Sequence, residues 1–275
     1  MEMNGRIIVT GATGCMGAAA VEALAQQGKP VLMACRNLEK AAAVRADILR
    51  RVPTADLQAR ALDLTSLASV RAFAEGIEPG SVSAVFHNAG VLPKDFSLTE
   101  NGLEHTFSVN YFGPWLLTRL LLPKLPEGAG IVSMVSLSSR FVSFQESDLQ
   151  PTAGTFSQLG TYARSKRALL SFSLELARRH PGLRVHVADP GIVATDIIDL
   201  GYWFDPLTDA LFKPLCKTPA NGVRPALRAL ASTQAGPCSF VGKGDRDIPR
   251  RYRDPALDAR IWEATETRIA DLGML

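Results

Sequence analysis

Apolar runs alternate with helical spacings along most of the chain. The apolar runs predict six strands, at Arg6–Thr10, Pro30–Cys35, Leu57–Leu62, Val82–His87, Gly130–Ser136 and Leu183–Ala188. Helical spacing predicts helices at Gly14–Gln27, Leu38–Val52, Leu67–Gly76, Glu100–Leu122 and Thr161–His180. This alternation is typical of an α/β protein whose parallel sheet carries helices on both faces. Strands such as Val31–Ala34 are apolar throughout, as expected when both faces are buried.

The chain has no recognisable linker or internal repeat. We therefore predict that residues 1–275 form a single doubly wound, Rossmann-type domain. Residues 192–219 break the alternation and are rich in aromatic side chains and proline. This segment is either an ordinary surface excursion or an apolar lid over a substrate cleft. Its position after the sixth strand favours the C-terminal substrate lid.

Composition narrows the class of protein. Hydrophobic residues make up 47% of the chain, which suits a large core, and a net charge of +3 does not favour a nucleic-acid partner. No uncharged apolar stretch reaches about 18 residues, so we expect no transmembrane segment. Arg6 interrupts the first apolar run, so we expect no signal peptide. The 4 cysteines form no C-x-x-C pair, which is typical of a reduced, cytoplasmic protein without disulfides or a metal site.

A glycine-rich turn follows the first strand and opens the first helix. Glycines let the backbone approach a pyrophosphate, and the helix N-terminus directs free N–H groups at it. The glycines fall at 11, 14 and 17, so the spacing is G-x-x-G-x-x-G and not G-x-G-x-x-G. The predicted contacts with a dinucleotide are Gly11, Thr13, Gly14, Cys15, Met16 and Gly17.

The end of the second strand selects between the two nicotinamide dinucleotides. NAD-selective sites usually carry an acidic residue there for the ribose 2′-hydroxyl. Here Cys35 offers no carboxylate, and Arg36, followed by Asn37, offers a guanidinium fork that suits a 2′-phosphate. This favours NADP(H) over NAD(H). A solvated Arg36 would instead leave the preference open.

Two further strand ends carry candidate cofactor contacts. Asp63 and Leu64 follow the third strand, where the carboxylate could accept from the adenine amino group or simply begin the next helix. Asn88, Ala89 and Gly90 follow the fourth strand, where small residues let a ribose lie against the backbone.

Tyr162 and Lys166 lie four residues apart on a predicted helix. That spacing is about one turn, so the phenol and the ammonium share a face. A nearby cation is expected to lower the tyrosine pKa and make the phenol a usable acid or base. Such pairs more often belong to a solvated helix face, so their meaning depends on the residues around them.

Taken in order, these residues resemble the short-chain dehydrogenase/reductase superfamily over nearly the whole chain. The markers are the turn at 10–17, Asp63, Asn88–Gly90, Asn110, a serine after the fifth strand, Tyr162 with Lys166, and Pro190-Gly191. The branch it resembles most contains retinol dehydrogenases, WW-domain oxidoreductases and protochlorophyllide reductases. The supporting stretches are residues 34–37, 109–113, 148–150, 175–179 and 217–222. Two residues depart from the family pattern: Cys15 replaces a glycine and His87 an asparagine.

The resemblance implies roles for individual residues. Ser136, placed by the run Ile131–Ser136, is the expected catalytic serine, with Ser138 as the alternative. Tyr162 is the expected acid/base, Lys166 would hold the nicotinamide ribose, and Asn110 would bind a water of the proton relay. Four residues after the sixth strand would contact the nicotinamide: Pro190, Gly191, Val193 and Thr195. Family members often pair through the helices here at Glu100–Leu122 and Thr161–His180, which implies a homodimer or homotetramer.

The expected function is an NADP(H)-dependent interconversion of a carbonyl and an alcohol on a lipophilic small molecule. Two alternatives stay open. The same site could reduce a C=C bond, or the chain could be a nucleotide-binding regulator without turnover. A complete set of Asn110, Ser136, Tyr162 and Lys166 argues against the regulator, because a sensor has no need of a proton relay.

Overall fold

One twisted sheet organises the chain in this computed structural model, which describes residues 5–191, 217–234, 236–241, 244–249 and 252–275. Within those residues the strands are β1 (Arg6–Thr10), β2 (Val31–Cys35), β3 (Leu57–Ala61), β4 (Val82–His87), β5 (Gly130–Met134), β6 (Arg184–Asp189), β7 (Cys238–Val241) and β8 (Gly244–Asp247). Their order across the sheet is β3-β2-β1-β4-β5-β6-β7-β8. Strands β1 to β7 pair in parallel, and β8 returns antiparallel to β7. The predicted Rossmann-type architecture is confirmed.

The helices cover both faces of this sheet. They are α1 (Cys15–Gln26), α2 (Leu38–Arg51), α3 (Leu67–Glu75), α4 (His105–Phe107), α5 (Gly113–Leu121), α6 (Gln158–Arg179), α7 (Pro219–Ala231) and α8 (Pro255–Asp271). Apolar side chains of α1, α2 and α7 form the core on one face. Those of α3, α5, α6 and α8 form the core on the other. The chain leaves β1 toward β2 and β3, then crosses back to β4, so a crevice opens between the ends of β1 and β4.

The predicted long helix at Glu100–Leu122 differs from the structure. Helix α4 begins only at His105, after Glu104 caps its first turn by accepting from the backbone N–H groups of Thr106 and Phe107. Residues Ser108–Phe112 then form a π-helical segment between α4 and α5. Pro114 explains the irregularity, because it has no N–H for the carbonyl four residues earlier, that of Asn110.

Helix α8 was not predicted from the sequence, and neither were α7, β7 and β8. It packs along α6, where the Trp262 ring stacks on Phe172 at 5.8 Å and meets Trp115 edge-on at 5.4 Å. The Tyr111 hydroxyl is hydrogen-bonded to Thr265 of the same helix at 2.6 Å. Helix α8 therefore covers aromatic side chains of α5 and α6, the helices that lie within the two ranges through which the resemblance implied pairing.

No helix among the described ranges has the length and apolar character needed to cross a membrane. The predicted lid at 192–219 lies outside the described residues, except for Lys217, Thr218 and Pro219.

His87, the last residue of β4, carries a buried imidazole. Its Nε2 lies 2.8 Å from the Thr118 hydroxyl, which itself donates to the Pro114 carbonyl at 2.9 Å. The hydroxyl must therefore accept from Nε2–H, which leaves Nδ1 unprotonated. Burial, with a smaller effect of Lys166, lowers the pKa of His87 from 6.5 to about 3.

We predict that this imidazole makes the fold acid-sensitive. Below pH 6.5 the unfolded chain protonates His87 while the folded protein does not, so stability is lost as pH falls toward 3. His87→Asn should reduce the slope of unfolding free energy against pH in this range by about 1.4 kcal/mol per pH unit. Urea unfolding at several pH values measures the slope, with His105→Asn, at a partly exposed position, as the matched control. An unchanged slope in His87→Asn would contradict the prediction.

Candidate active site

The glycine turn after β1 is shaped by two close backbone approaches. Gly11 has a positive φ of 63°, and a Cβ there would lie 2.9 Å from the Cα of Ala89. A Cβ on Gly17 would lie 2.1 Å from the Gly11 carbonyl oxygen, a distance that no side chain can adopt. Gly14 is under no such constraint, since a Cβ there would make an ordinary 3.5 Å contact. Only the outer two glycines of the spaced set are therefore required sterically.

Cys15 occupies the first position of α1 and is exposed. Cys15 thus stands where the family pattern has glycine. It adopts helical backbone as the first residue of α1, and its side chain lies on the surface. The shifted glycine spacing changes the surface of the turn without removing its free N–H groups.

One cavity of about 880 Å³ runs along the carboxyl ends of the strands. It is large enough for an extended ligand. Predicted site residues that line it are Gly11, Thr13, Gly14, Cys15, Met16, Gly17, Arg36, Asp63, Leu64, Asn88, Ala89, Gly90, Ser136, Tyr162, Lys166, Pro190 and Gly191. Val193 and Thr195 lie outside the described residues.

Arg36 lines one end of this cavity, and sequence reasoning missed a second cation beside it. Lys40 also lines the cavity, from the first turn of α2. Its place at the start of the predicted helix, just after Arg36, was the available signal. Asn37, predicted as a cofactor contact, does not line the cavity. Its side chain instead caps α2 by accepting from the Lys40 backbone N–H at 2.8 Å.

Another part of the cavity wall is formed by Asp63 and Leu64, which follow β3, and by the first residue of α4. The Asp63 carboxylate accepts from the Thr65 N–H at 2.9 Å and from its hydroxyl at 2.7 Å, while Ser66 is the N-cap of α3. Asp63 therefore shapes the turn before the helix and still faces the cavity. His105 lines the same region and was not predicted as a site residue.

Asn88 ties the end of β4 to the glycine turn. Its Nδ2 donates to the Thr10 carbonyl at 2.9 Å, and the Thr10 hydroxyl accepts from the backbone N–H groups of Asn88 and Ala89. Gly90 continues this wall, where a Cβ would lie 3.2 Å from Lys166 Nζ. These contacts hold the floor of the crevice at the sheet's switch point.

Tyr162 and Lys166 lie one turn apart at the start of α6, on the cavity wall. The Tyr162 hydroxyl is hydrogen-bonded to the Ser136 side chain. Ser136 Oγ in turn accepts from Ser138 Oγ at 2.9 Å. The structure thus brings Ser136 to Tyr162, with Ser138 supporting Ser136 from the other side.

Asn110 is buried on the π-helical segment and braces the loop after β4. Its Oδ1 accepts from the Val91 N–H at 2.8 Å, and its Nδ2 donates to the Val91 carbonyl at 3.1 Å and the Ser165 hydroxyl at 3.0 Å. The side chain is therefore a structural link between that loop and α6. Its predicted contact with a relay water stays a prediction.

The electrostatics of Tyr162 differ from the expectation. Burial raises its pKa above 10, Asp189 adds to the rise, and the Ser136 hydrogen bond opposes it. The predicted lowering by Lys166 is therefore wrong in this structure. Lys166 Nζ donates to the Met134 carbonyl at 3.0 Å and lies 5.8 Å from the centre of the Tyr162 ring, so its charge is not directed at the phenol oxygen.

Comparisons with known proteins agree with this geometry. A profile of the short chain dehydrogenase family matches residues 6–200. This chain belongs to the short chain dehydrogenase family. Human retinol dehydrogenase 13 is 36% identical over 280 residues, covering 97% of this chain and 84% of its own. Mouse retinol dehydrogenase 12 is 32% identical over 277 residues, covering 96% and 86%.

Solved structures show the same fold. An uncharacterized protein from Mycobacterium paratuberculosis matches with a TM-score of 0.79 and 27% identity, covering 97% of this chain and 93% of that one. A short chain dehydrogenase from Escherichia coli, complexed with NADPH, matches with a TM-score of 0.65 and 24% identity, covering 87% and 97%. The resemblance to the retinol dehydrogenase branch is confirmed by the curated relatives.

This short chain dehydrogenase is an oxidoreductase acting on CH–OH groups, and its fold binds a nicotinamide cofactor. The described residues fit that group. The Gly11–Gly17 approach leaves backbone N–H groups of α1 for a pyrophosphate, and the cavity extends from there to Tyr162.

We predict that Gly17→Ala strongly weakens NADPH binding, because its Cβ would meet the Gly11 carbonyl at 2.1 Å and displace the turn. Gly14→Ala is the matched control, since its Cβ would meet the same oxygen at 3.5 Å. Fluorescence titration with NADPH should give at least about a 100-fold weaker Kd for Gly17→Ala, roughly 3 kcal/mol, and a change of a few-fold for Gly14→Ala. Circular dichroism checks that both variants fold. Equal affinities would contradict the steric assignment.

Proposed function

We propose that this enzyme interconverts a carbonyl and an alcohol on a lipophilic small molecule, using NADP(H) and Tyr162 as the acid/base. The observation that carries the proposal is the hydrogen bond between Tyr162 and Ser136 on the wall of the cofactor cavity. Two hydroxyls that converge in this way can both bond to one substrate oxygen.

The proton chemistry follows from where charge develops. A bound nicotinamide cofactor would supply the hydride for reduction of the carbonyl carbon and would accept it in oxidation of the alcohol. As the carbonyl π bond breaks, its electron pair moves to the oxygen, which the Ser136 and Tyr162 hydroxyls stabilise. Tyr162 then gives its proton to that oxygen and is left as the phenolate. Oxidation of the alcohol uses the same groups in reverse.

Lys166 is suited to returning the proton. It is 2% exposed, and burial lowers its pKa from 10.5 to about 8. An ammonium with that pKa releases and regains a proton near neutral pH. In the proposed site Lys166 also holds the nicotinamide ribose, and Asn110 binds the water that links Lys166 to solvent. A Cβ on Gly90 would touch Lys166 Nζ and lie 3.6 Å from Asn110 Oδ1, so the two side chains are neighbours.

The preference for NADP(H) is supported by the charges at the end of β2. Arg36 and Lys40 both line the cavity, whereas the neighbouring Cys35 brings no carboxylate to that point. Two cations favour a 2′-phosphate over a neutral ribose hydroxyl.

An apolar substrate is supported by exposed apolar side chains on the cavity wall. Three large apolar side chains line it while remaining open to solvent: Leu137 is 40% exposed, Leu159 57% and Phe141 80%. Exposed apolar surface around a cleft is typical of a site that binds an apolar ligand. The retinol dehydrogenases among the relatives are consistent with such a substrate. A cytoplasmic location and a homodimer or homotetramer stay predictions.

We predict that Tyr162→Phe lowers kcat for carbonyl reduction by at least about 100-fold, because it removes the proton donor. NADPH affinity should change by no more than a few-fold. A panel of apolar aldehydes, ketones and enones, followed by loss of NADPH absorbance, measures both carbonyl and C=C reduction. Turnover of enones alone would favour the C=C alternative. Binding of NADPH without turnover of any substrate, unaltered by Tyr162→Phe, would favour the regulator.

We predict that Arg36→Asp shifts the cofactor preference toward NADH. The substitution removes a guanidinium suited to the 2′-phosphate and adds a carboxylate that accepts from the ribose hydroxyl. The ratio of kcat/KM for NADPH to that for NADH should fall by at least about 100-fold. Arg50→Ala, in an exposed ion pair with Asp47 on α2, is the control for charge loss. A ratio unaltered by Arg36→Asp would reject the assignment of the 2′-phosphate site.

A further inference from the structure

A second serine makes two contacts with the side-chain oxygen of Ser136. Ser136 has extended backbone and is the N-cap of a 3₁₀-helical turn at Leu137–Arg140. The turn brings Ser138 back toward Ser136 Oγ, to which its backbone N–H donates at 3.3 Å and its hydroxyl at 2.9 Å. Both serines line the cavity beside Tyr162. Ser138 therefore reaches the site through the oxygen of Ser136.

These two contacts fix the direction of the hydrogen bond between Ser136 and Tyr162. A serine hydroxyl has one hydrogen to donate and two lone pairs that can accept. The N–H and the hydroxyl of Ser138 occupy both lone pairs, so Ser136 has only its own hydrogen left for Tyr162. Ser136 is therefore the donor and the phenol oxygen the acceptor. The effect of this bond on Tyr162 agrees, since it lowers the pKa, as a hydrogen bond given to a phenolate does.

This direction decides what the phenol can do. If Tyr162 donated to Ser136, its hydrogen would be engaged and a substrate oxygen would lose that donor. Because Ser136 donates instead, the phenol hydrogen stays available to the substrate. Each hydroxyl of the series Ser138, Ser136 and Tyr162 also polarises the next, which makes the last one a stronger donor.

We propose that Ser138 is a positioning residue, which acts through Ser136 to keep the hydrogen of Tyr162 available to the substrate oxygen. This rests on the proposed function, in which Tyr162 is the acid/base. In reduction the phenol O–H bond breaks and its proton goes to the substrate oxygen, while both serines keep their own protons. Ser136 then donates to the phenolate that is left.

The chain offers a matched control in the next residue. Ser139 Oγ donates to the backbone carbonyl of Ser136 at 2.6 Å, so it holds the same turn without contacting Ser136 Oγ. That carbonyl also accepts from the Ser139 N–H at 3.0 Å, which keeps it bonded when the hydroxyl is removed. Ser139→Ala thus reports what the turn alone contributes.

Ser138→Ala removes one of the two donors to Ser136 Oγ and keeps the other, the backbone N–H. We expect kcat for reduction of an apolar aldehyde to fall about 10-fold, with KM within a few-fold of the parent value. Ser138→Thr, which keeps the hydroxyl, should restore kcat, and Ser139→Ala should leave it in place. In a Ser136→Ala background, Ser138→Ala should have no further effect, because the residue through which it acts is gone.

A second measurement does not depend on turnover. With 3-fluorotyrosine installed at position 162 alone, fluorine NMR follows ionisation of that phenol with pH. The midpoint should lie about half a pH unit or more higher in Ser138→Ala, because the neutral phenol can then donate to Ser136. Lys166, 5.8 Å from the ring centre, and Asp189 are retained in every variant, so a difference between variants reports the hydroxyl at position 138.

The outcomes separate this proposal from the proposed function. An unchanged kcat and midpoint in Ser138→Ala would overturn the role of Ser138 even if turnover depends on Tyr162. Equal losses from Ser138→Ala in the parent and in the Ser136→Ala background would overturn it too, since Ser138 would then act independently of Ser136. A shifted midpoint in a protein that reduces no carbonyl would support the hydrogen-bond direction and refute the proposed function alone.

Discussion

The close approach of β1 and β4 at Gly11 and Ala89 is the constraint on which the site depends. A side chain at Gly11 would collide with the Ala89 backbone, and the Thr10 hydroxyl joins the two strand ends through two N–H groups. Because the order of strands reverses at this point, the connections after β1 and β4 lead to opposite faces of the sheet and leave a crevice between them. Cofactor turn, cavity and catalytic helix are all arranged around that one contact.

Burial sets the chemistry of the site more than pairing of charges does. The spacing of Lys166 and Tyr162 suggested that the ammonium would lower the pKa of the phenol. Burial is instead the first cause of the pKa shift of each side chain. Burial favours the neutral form of each side chain. The pKa of Lys166 therefore falls toward neutral pH, while the pKa of Tyr162 rises further above it. The two side chains thus have different tasks: one holds a transferable proton firmly, and the other exchanges protons with its surroundings.

Most strands of the sheet, and the order of the site residues along the chain, could be predicted from the sequence. Strands β1 and β4 have the predicted bounds, because a short run of mostly apolar residues between turn residues is a local signal. The late start of α4 and the π-helical segment were missed, since they depend on Glu104 capping and on a proline that follows Asn110. Asn110 itself could be named from order alone, but its bracing contacts to Val91 and Ser165 are made across the fold.

The packing of Trp262 also has a consequence for how the chain acquires its structure. Synthesis proceeds from the N-terminus, so α5 and α6 leave the ribosome well before α8, which begins at Pro255. Until then the apolar surface of Trp115 and Phe172 that Trp262 covers has no partner from this helix. The nascent chain therefore exposes an aromatic surface prone to aggregation until α8 has been synthesised. A chaperone that binds aromatic side chains would be needed most just before that point.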